Sequence, residues 1–171
     1  MSLAFDTMYK KDIQSFRVER GASREIRYKI PYASTIVVRI SASQPVDLTM
    51  AGPHIEQAEI VGTREFKFSS NPGNELVIRF QGKSGFFAKP SDVTVEIEMY
   101  TAKEATKVSE EVTNLLELLR DLGKDYYDLN KEYVQDVLKR LATVWKILDD
   151  ETKAKAKELM TLAKKFEEGK A

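Results

Sequence analysis

Apolar and polar residues alternate along most of the first hundred positions of the chain. Residues 26–30 read Ile-Arg-Tyr-Lys-Ile, and residues 93–99 read Val-Thr-Val-Glu-Ile-Glu-Met. Strict alternation indicates strands with one face in a core and the other in solvent. Turn signals interrupt the alternation at short intervals, and Asn71-Pro72-Gly73-Asn74 is the strongest of them. Gln44-Pro45 separates the predicted strands 36–41 and 46–50, and Gly62-Thr63 separates 55–61 and 65–68. The pattern predicts an antiparallel β-sandwich of about eight short strands from about Ile13 to Thr101.

No helical stretch lies between the predicted strands, so parallel βαβ crossovers are excluded and antiparallel pairing is expected. The residues on the inward side of the alternation form the predicted core of this unit. They are Phe16, Ile26, Tyr28, Ile36, Val38, Ile40, Leu48, Phe66, Phe68, Leu76, Ile78, Phe80, Val93, Val95, Ile97 and Met99.

The apolar period changes to that of a helix at Ala102, which predicts an α+β chain with a sandwich in residues 1–101 and a helical hairpin in residues 102–171. The apolar stripe keeps its phase across Gly123 and repeats every eleven residues, so we expect one long helix from Lys103 to about Leu148. Glycine disfavours a helix interior by about 1 kcal/mol relative to alanine. A break at Gly123, giving three shorter helices in a closed bundle, is therefore the alternative.

Asp149-Asp150-Glu151 is typical of a helix N-terminus and predicts a second helix that folds back along the end of the first. This arrangement leaves the earlier part of the long helix without a packing partner, which is either the sandwich or another subunit. We expect self-association, as a homodimer, through an apolar stripe on that part, and packing against the sandwich is the alternative. The stripe consists of Val108, Val112, Leu115, Leu119, Leu122, Tyr126 and Leu129.

Charge and composition narrow the class of protein. The 171 residues hold 27 basic and 27 acidic side chains, which argues against a nucleic-acid partner. The absence of cysteine excludes disulfides, and abundant charge of both signs also suits a thermophile. Neither a signal peptide nor an apolar span is recognised, so the expected location is the cytoplasm, with a virion also consistent.

Four features that resemble catalytic or binding motifs have simpler interpretations. His54 is the only histidine and follows a Gly-Pro turn, so we interpret it as a loop residue. Gly82-Lys83-Ser84 lacks the earlier glycine and the following helix of a phosphate-binding loop. Asp125 and Asp128 are spaced as one helix edge, and the lysines of the last helix are interleaved with glutamates. We therefore predict no catalytic residue, no metal and no cofactor; a carboxylate hydrolase is the weaker alternative.

The loop of residues 82–90 carries the candidate partner-binding residues Phe86, Phe87 and Lys89. Adjacent residues cannot both face one core from a regular strand. One interpretation is that both phenylalanines plug the open end of the sandwich, and the other is that the loop is a partner-binding tip. A second candidate surface is the outward face of the strands, which carries Arg27, Lys29, Val37, Arg39, Val77, Arg79 and Tyr100.

Residues 74–90 (Asn-Glu-Leu-Val-Ile-Arg-Phe-Gln-Gly-Lys-Ser-Gly-Phe-Phe-Ala-Lys-Pro) and 93–98 (Val-Thr-Val-Glu-Ile-Glu) resemble the final hairpin of the Golgi-dynamics (GOLD) β-sandwich. The order of a sandwich followed by a coiled-coil-like helix also resembles the lumenal part of the cargo receptors that carry this domain. The sequence departs from those receptors in lacking a signal peptide, a cysteine pair and a membrane span. The resemblance implies a non-catalytic interaction domain.

These features together predict a non-enzymatic interaction or structural assembly protein. The sandwich would be its recognition module and the helices would mediate self-association with a second copy. The alternative function is a carbohydrate- or lipid-binding module that uses the loop of residues 82–90.

Overall fold

The structure is a computed structural model that describes residues 4–169, so residues 1–3 and 170–171 of the predicted units lie outside the described residues. The chain divides into two compact units between Thr101 and Ala102. The first contains strands β1 (Thr7–Val18), β2 (Ser23–Ile30), β3 (Ser34–Ala51), β4 (Glu56–Ser70), β5 (Asn74–Gly82) and β6 (Ser91–Thr101). The second contains helix α1 (Lys103–Val144), a 3₁₀ turn (Trp145–Ile147) and helix α2 (Asp150–Glu167).

The first unit is one curled antiparallel sheet of six strands, not eight. The predicted strands 36–41 and 46–50 join as β3, and 55–61 and 65–68 join as β4. The pairing of β3 with β4 stops at Ala42 and resumes at Val46, which leaves a bulge at residues 43–45. The turn signals at Pro45 and Gly62 therefore mark a bend within one long strand pair, because a bulge tolerates a proline that cannot donate a backbone hydrogen bond.

Serine side chains satisfy the backbone of this bulge. The Gln44 amide donates to Ser91 Oγ at 3.1 Å, and that hydroxyl donates to the Gln44 carbonyl at 2.7 Å. The Asp92 amide donates to Ser43 Oγ at 2.8 Å. These bonds hold the start of β6 against the bend, so the bend is a fixed feature of the sheet.

The bulge also changes the neighbour of β3 on its second edge. Residues 35–42 of β3 pair with β6, whereas residues 46–51 pair with β5. Strand β1 then extends the sheet from β6, and β2 extends it from β5. In this sheet β5 and β6 both pair with β3, along different parts of it, and not with each other, so residues 74–98 form a crossover instead of the expected hairpin.

The strand order in the sheet is β1-β6-β3-β5-β2, and side chains of its two outer strands, β1 and β2, contact each other. The Tyr28 hydroxyl donates to Asp12 at 2.8 Å, and Gln14 donates to the same carboxylate at 3.0 Å. Both bonds lower the pKa of Asp12, while burial raises the pKa of Tyr28. The rings of Phe16 and Phe80 pack edge to face with centroids 5.6 Å apart. These contacts close the curled sheet around one core.

The predicted core of this unit is confirmed apart from two residues at its margin. Phe16 and Phe68 are partly buried and pack against the core, and every other predicted residue is buried. Alternation therefore identified the inner face of the sheet correctly.

The expected single long helix is not formed, because α1 is broken within its length. The backbone of α1 is non-helical at Gly123, where φ is 70° and ψ is −152°, and again at Asn130. Continuous helix would hold Glu111 and Arg140 roughly 44 Å apart, yet their side chains form a 2.5 Å ion pair. The helix therefore folds back at Gly123 into a first limb (residues 103–122) and a second limb (residues 124–144), as the alternative interpretation proposed.

Helix α2 packs against both limbs and closes the bundle. Asp149 caps it as predicted, because its carboxylate accepts from the Thr152 amide at 2.9 Å. Glu158 of α2 pairs with Arg120 of the first limb, and Glu167 pairs with Lys131 of the second limb at 2.6 Å. The buried interior consists of Ala105, Val108, Val112, Leu115, Leu116, Leu119, Tyr127, Val134, Val137, Leu141, Val144, Leu148, Ala156, Leu159, Ala163 and Phe166.

Candidate functional site

The candidate site is the loop of residues 83–90 between β5 and β6, here called the Phe loop. The turn between β1 and β2 holds its base. The Gly82 amide donates to the Ala22 carbonyl at 2.8 Å, and the Gly21 amide donates to the Lys83 carbonyl at 3.0 Å. A Cβ at position 82 would lie 2.2 Å from the Glu19 carbonyl oxygen, so only glycine permits this close approach.

Lys83 anchors the loop to two other strands. Its ammonium lies 2.7 Å from a carboxylate oxygen of Asp47 and 2.7 Å from one of Glu59. The hydrogen bond to Asp47 is the largest cause of a raised Lys83 pKa, followed by that to Glu59. The segment that imitates a phosphate-binding loop is therefore an ion-paired anchor, and its cation is already compensated.

Phe86 and Phe87 lie at the tip of this loop, and each is 89% exposed. Their rings pack against each other at 85°, with centroids 5.1 Å apart. Arg20 donates to the Gly85 carbonyl just before them at 3.3 Å, and Lys89 after them is exposed. The interpretation in which both rings plug the end of the sheet is therefore wrong.

The other motifs have structural roles in the described residues. The His54 ring stacks on Phe68 with centroids 4.8 Å apart, and its Nε2 lies 3.1 Å from Glu56. Asp128 pairs with Lys124 at 2.6 Å on the helix surface.

The outward face of the sheet is largely ion-paired. Arg39 bridges Glu65 at 2.7 Å and Glu98 at 2.8 Å, and Arg27 bridges Glu75 at 2.7 Å and Glu25 at 3.1 Å. These pairs raise the pKa of both arginines, chiefly through the hydrogen bonds to Glu98 and Glu75. Because its arginines already have acidic partners within the sheet, this face has fewer unpaired charges for a binding partner, and the Phe loop is the stronger candidate site.

The predicted self-association stripe is divided by the fold. Val108, Val112, Leu115 and Leu119 are at most 1% exposed, because α2 and the second limb cover them. The expectation that these four residues lack a partner within the chain is therefore wrong. The structure leaves Tyr126 half-buried. Leu122 and Leu129 are 56% and 86% exposed.

The sequence analysis did not identify a groove beside the 3₁₀ turn, which is lined by Leu138, Ala142, Trp145, Lys146, Lys157 and Met160. Leu138 and Ala142 on the second limb and Trp145 in the turn follow the buried Val137, Leu141 and Val144 by one position each. Such a second stripe widens the apolar face of a helix beyond what one packing partner covers. This second row of apolar residues was the sequence signal that could have predicted the groove.

The comparisons with known proteins leave the family open. No family model matches the sequence, and no curated protein matches it. Among solved structures, a de novo designed double-stranded β-helix is 15% identical, with 50% of this chain and 97% of that chain covered and a TM-score of 0.36. The PliG periplasmic inhibitor of g-type lysozyme from Aeromonas hydrophila is 13% identical, with 58% and 92% covered and a TM-score of 0.38.

The carbohydrate-binding module CBM36, in complex with calcium and xylotriose, is 9% identical, with 56% of this chain and 93% of that chain covered and a TM-score of 0.29. Values this low do not transfer a function. Within residues 4–169, no helix has the length and apolar character needed to cross a membrane.

Proposed function

We propose that this protein is a non-enzymatic interaction and assembly protein, in which the β unit acts as a sandwich-like recognition module that binds a protein partner through the Phe loop. The exposure of Phe86 and Phe87 carries this proposal. Burial of a phenylalanine side chain is worth roughly 1.5–3 kcal/mol. Two adjacent rings at a loop tip are therefore suited to be the anchors of an interface.

The anchoring of the loop supports this role. Gly82, Lys83 and Gly85 are each held by contacts to other parts of the sheet, so the tip projects from a fixed base. A loop that is ordered before binding loses less conformational entropy when the partner arrives.

The geometry favours a protein over a carbohydrate or a lipid surface as the ligand. The two rings are nearly perpendicular, at 85°, and so do not form one flat platform on which sugar rings could stack. Attraction to anionic lipid depends on uncompensated basic charge, whereas Lys83 is already paired with Asp47 and Glu59. Lys89 remains as an exposed cation beside the rings.

The experiment compares full-length wild type with the double variant Phe86→Ala, Phe87→Ala in pull-downs from the source cells. Ile55→Ala is the matched control, because Ile55 is 80% exposed on the turn between β3 and β4. A protein retained by wild type and the control but lost with the double variant is then purified for direct titration. We expect each single alanine to weaken that complex at least tenfold, since hot-spot residues contribute about 2 kcal/mol or more.

A purified partner that binds the double variant with unchanged Kd would contradict the role of the loop. Phe-dependent binding to a glycan array or to lipid vesicles, without a protein partner, would instead establish the carbohydrate- or lipid-binding alternative.

The helical unit is the proposed assembly element. The buried stripe cannot serve as its interface, but Leu122 and Leu129 remain exposed, together with Leu118 at 37%. We expect the intact chain to self-associate in light scattering coupled to size-exclusion chromatography. A monomer at every concentration up to about 1 mM would reject this part of the proposal and leave the role of the Phe loop untouched.

A further inference from the structure

The groove beside the 3₁₀ turn, here called the Trp145 groove, has an apolar floor and basic walls. Leu138, Ala142 and Trp145 come from the second limb and the turn, Met160 comes from α2, and the volume is about 500 Å³. Lys146 from the 3₁₀ turn and Lys157 from α2 both line the groove. Lys153 adds a third positive charge, with its ammonium 5.9 Å from the centroid of the Trp145 ring.

Lys146 and Lys157 differ from three other cations of the helical unit in having no ion pair within the range that the structure describes. Arg120, Lys131 and Arg140 all form ion pairs with acidic residues of another segment of the bundle. Within residues 4–169, neither Lys146 nor Lys157 has an ion pair or a side-chain hydrogen bond. The groove therefore combines exposed apolar surface with two positive charges that have no acidic partner among the described residues.

An open groove between two helices fits a third helix better than a compact ligand. Two unpaired cations favour an occupant that carries more than one acidic group beside its apolar ridge, whereas a single-headed anion supplies only one. The complementary occupant is an amphipathic helix with an apolar ridge and neighbouring carboxylates.

The chain itself carries such a helix. Residues 117–122 of the first limb have an exposed face formed by Glu117, Leu118, Asp121 and Leu122, here called the acidic face. The two leucines are four positions apart, as are the two acids, so each pair lies along one side of the helix. In the described part of the chain, neither Glu117 nor Asp121 forms an ion pair. Their nearest basic neighbour, Arg120, is paired with Glu158 instead.

We infer that the acidic face of one molecule docks in the Trp145 groove of a second copy, where its leucines cover the apolar floor and its carboxylates meet Lys146 and Lys157. This inference rests on the self-association proposed above and names its interface. The contact joins two different surfaces, so it produces a ring or an open chain of molecules, or a twofold dimer where two copies make it reciprocally. One helix in one groove buries no more than a standard interface of about 800 Å² per partner, so the expected association is weak.

Charge reversal with rescue tests this interface in the full-length protein. Lys146→Glu with Lys157→Glu, and separately Glu117→Lys with Asp121→Lys, should each weaken association at least tenfold in sedimentation equilibrium up to about 1 mM. The quadruple variant restores opposite charges and the zero net charge of wild type. It should therefore associate within about threefold of wild type.

Lys139→Glu with Lys164→Glu is the matched control, because both lysines are exposed, neither lines the groove, and the net charge changes equally. Association of this control should stay within twofold of wild type. Trp145 is the only tryptophan in the chain, so its fluorescence should change with concentration in wild type, in the quadruple variant and in this control, but in neither double variant of the interface. Circular dichroism confirms that each variant remains helical.

Self-association that persists in both double variants would overturn this interface while leaving the proposed assembly function intact. Failure of the quadruple variant to recover would also overturn it. A wild-type monomer at 1 mM would reject both. A Trp145 response to added dodecanoate, without any change in mass, would assign the groove to a small amphiphilic anion and overturn docking of a second copy.

Discussion

The Phe loop and the stripe of Val108, Val112, Leu115 and Leu119 are two apolar features with opposite fates in the fold. The stripe is longer and more regular, and it is at most 1% exposed. The two phenylalanines of the loop are adjacent in sequence and 89% exposed. A regular stripe on a helix can be covered by other helices of the same chain, whereas two adjacent rings on a glycine-flanked turn find no common interior to enter.

The difference shows that the amount of apolar sequence does not by itself identify a binding surface. Whether an apolar segment stays exposed depends on whether another element of the same chain can cover it. Gly123 supplies that element for the stripe, because the break lets the second limb fold back over it. No comparable element covers the tip of the Phe loop in residues 4–169.

The largest effect is expected from placing a charge inside the sheet, which would break the contrast between a dry interior and an exposed tip. Ile78 is fully buried in β5, so Ile78→Asp leaves an unpaired carboxylate in the core. We expect a loss of at least about 5 kcal/mol and unfolding of the β unit, measured by thermal and urea denaturation. The neighbouring Arg79→Asp is the control, because Arg79 is exposed and should change stability by less than about 0.5 kcal/mol. Native melting of Ile78→Asp would place the strand one residue out of register.

A second, smaller effect tests whether the helical stripe belongs to the fold or to an interface. Leu115→Lys with Leu119→Lys inserts two amines at positions that are 1% exposed. We expect a loss of about 4 kcal/mol or more, seen as reduced helical circular dichroism. An interface role would instead give a folded protein of lower mass. The control is Leu118→Lys with Leu122→Lys, at exposed positions of the same limb, which should retain the helical signal.

Alternation of side chains predicted the inner face of the sheet well, because a strand that is half buried must repeat every second residue. It missed the start of β1 at Thr7, since a register shift between Met8 and Lys10 breaks the period there. It also divided β3 and β4, because Pro45 and Gly62 read as turns whereas the structure uses them at a bend. Which strands pair depends on contacts distant in sequence, and short-range patterns do not contain that information.

The candidate site was predictable in part. The sequence indicated that Phe86 and Phe87 could not both enter one core from a strand, but the choice between plug and tip depended on how the end of the sheet is closed. The closing contacts, such as Phe16 on Phe80, join residues far apart in the chain. The Trp145 groove was missed for the same reason, because its two walls come from different helices.

The third prediction tests the backbone break by the sign of its effect. Gly123 has a φ of 70° and a ψ of −152°, a conformation that is costly for any residue with a Cβ. Gly123→Ala should therefore destabilise the helical unit by about 1–3 kcal/mol in thermal denaturation. In a continuous helix the same change would stabilise by about 1 kcal/mol. Asp125→Ala nearby is the control and should stay within about 0.5 kcal/mol. A Gly123→Ala variant more stable than wild type would contradict the break and support a continuous, straight helix.

The smallest expected effect on stability belongs to the Phe loop. The side chains of Phe86 and Phe87 are 89% exposed, so Phe86→Ala and Phe87→Ala should each change the free energy of unfolding by no more than about 0.5 kcal/mol. Phe80→Ala is the matched control, since Phe80 is fully buried and should lose roughly 3–5 kcal/mol. Urea denaturation of the three variants decides the comparison. If either loop variant loses as much as Phe80→Ala, the ring has a structural role and cannot be a free anchor. If both are neutral, folding does not depend on the two rings, and they are free to act as anchors of an interface.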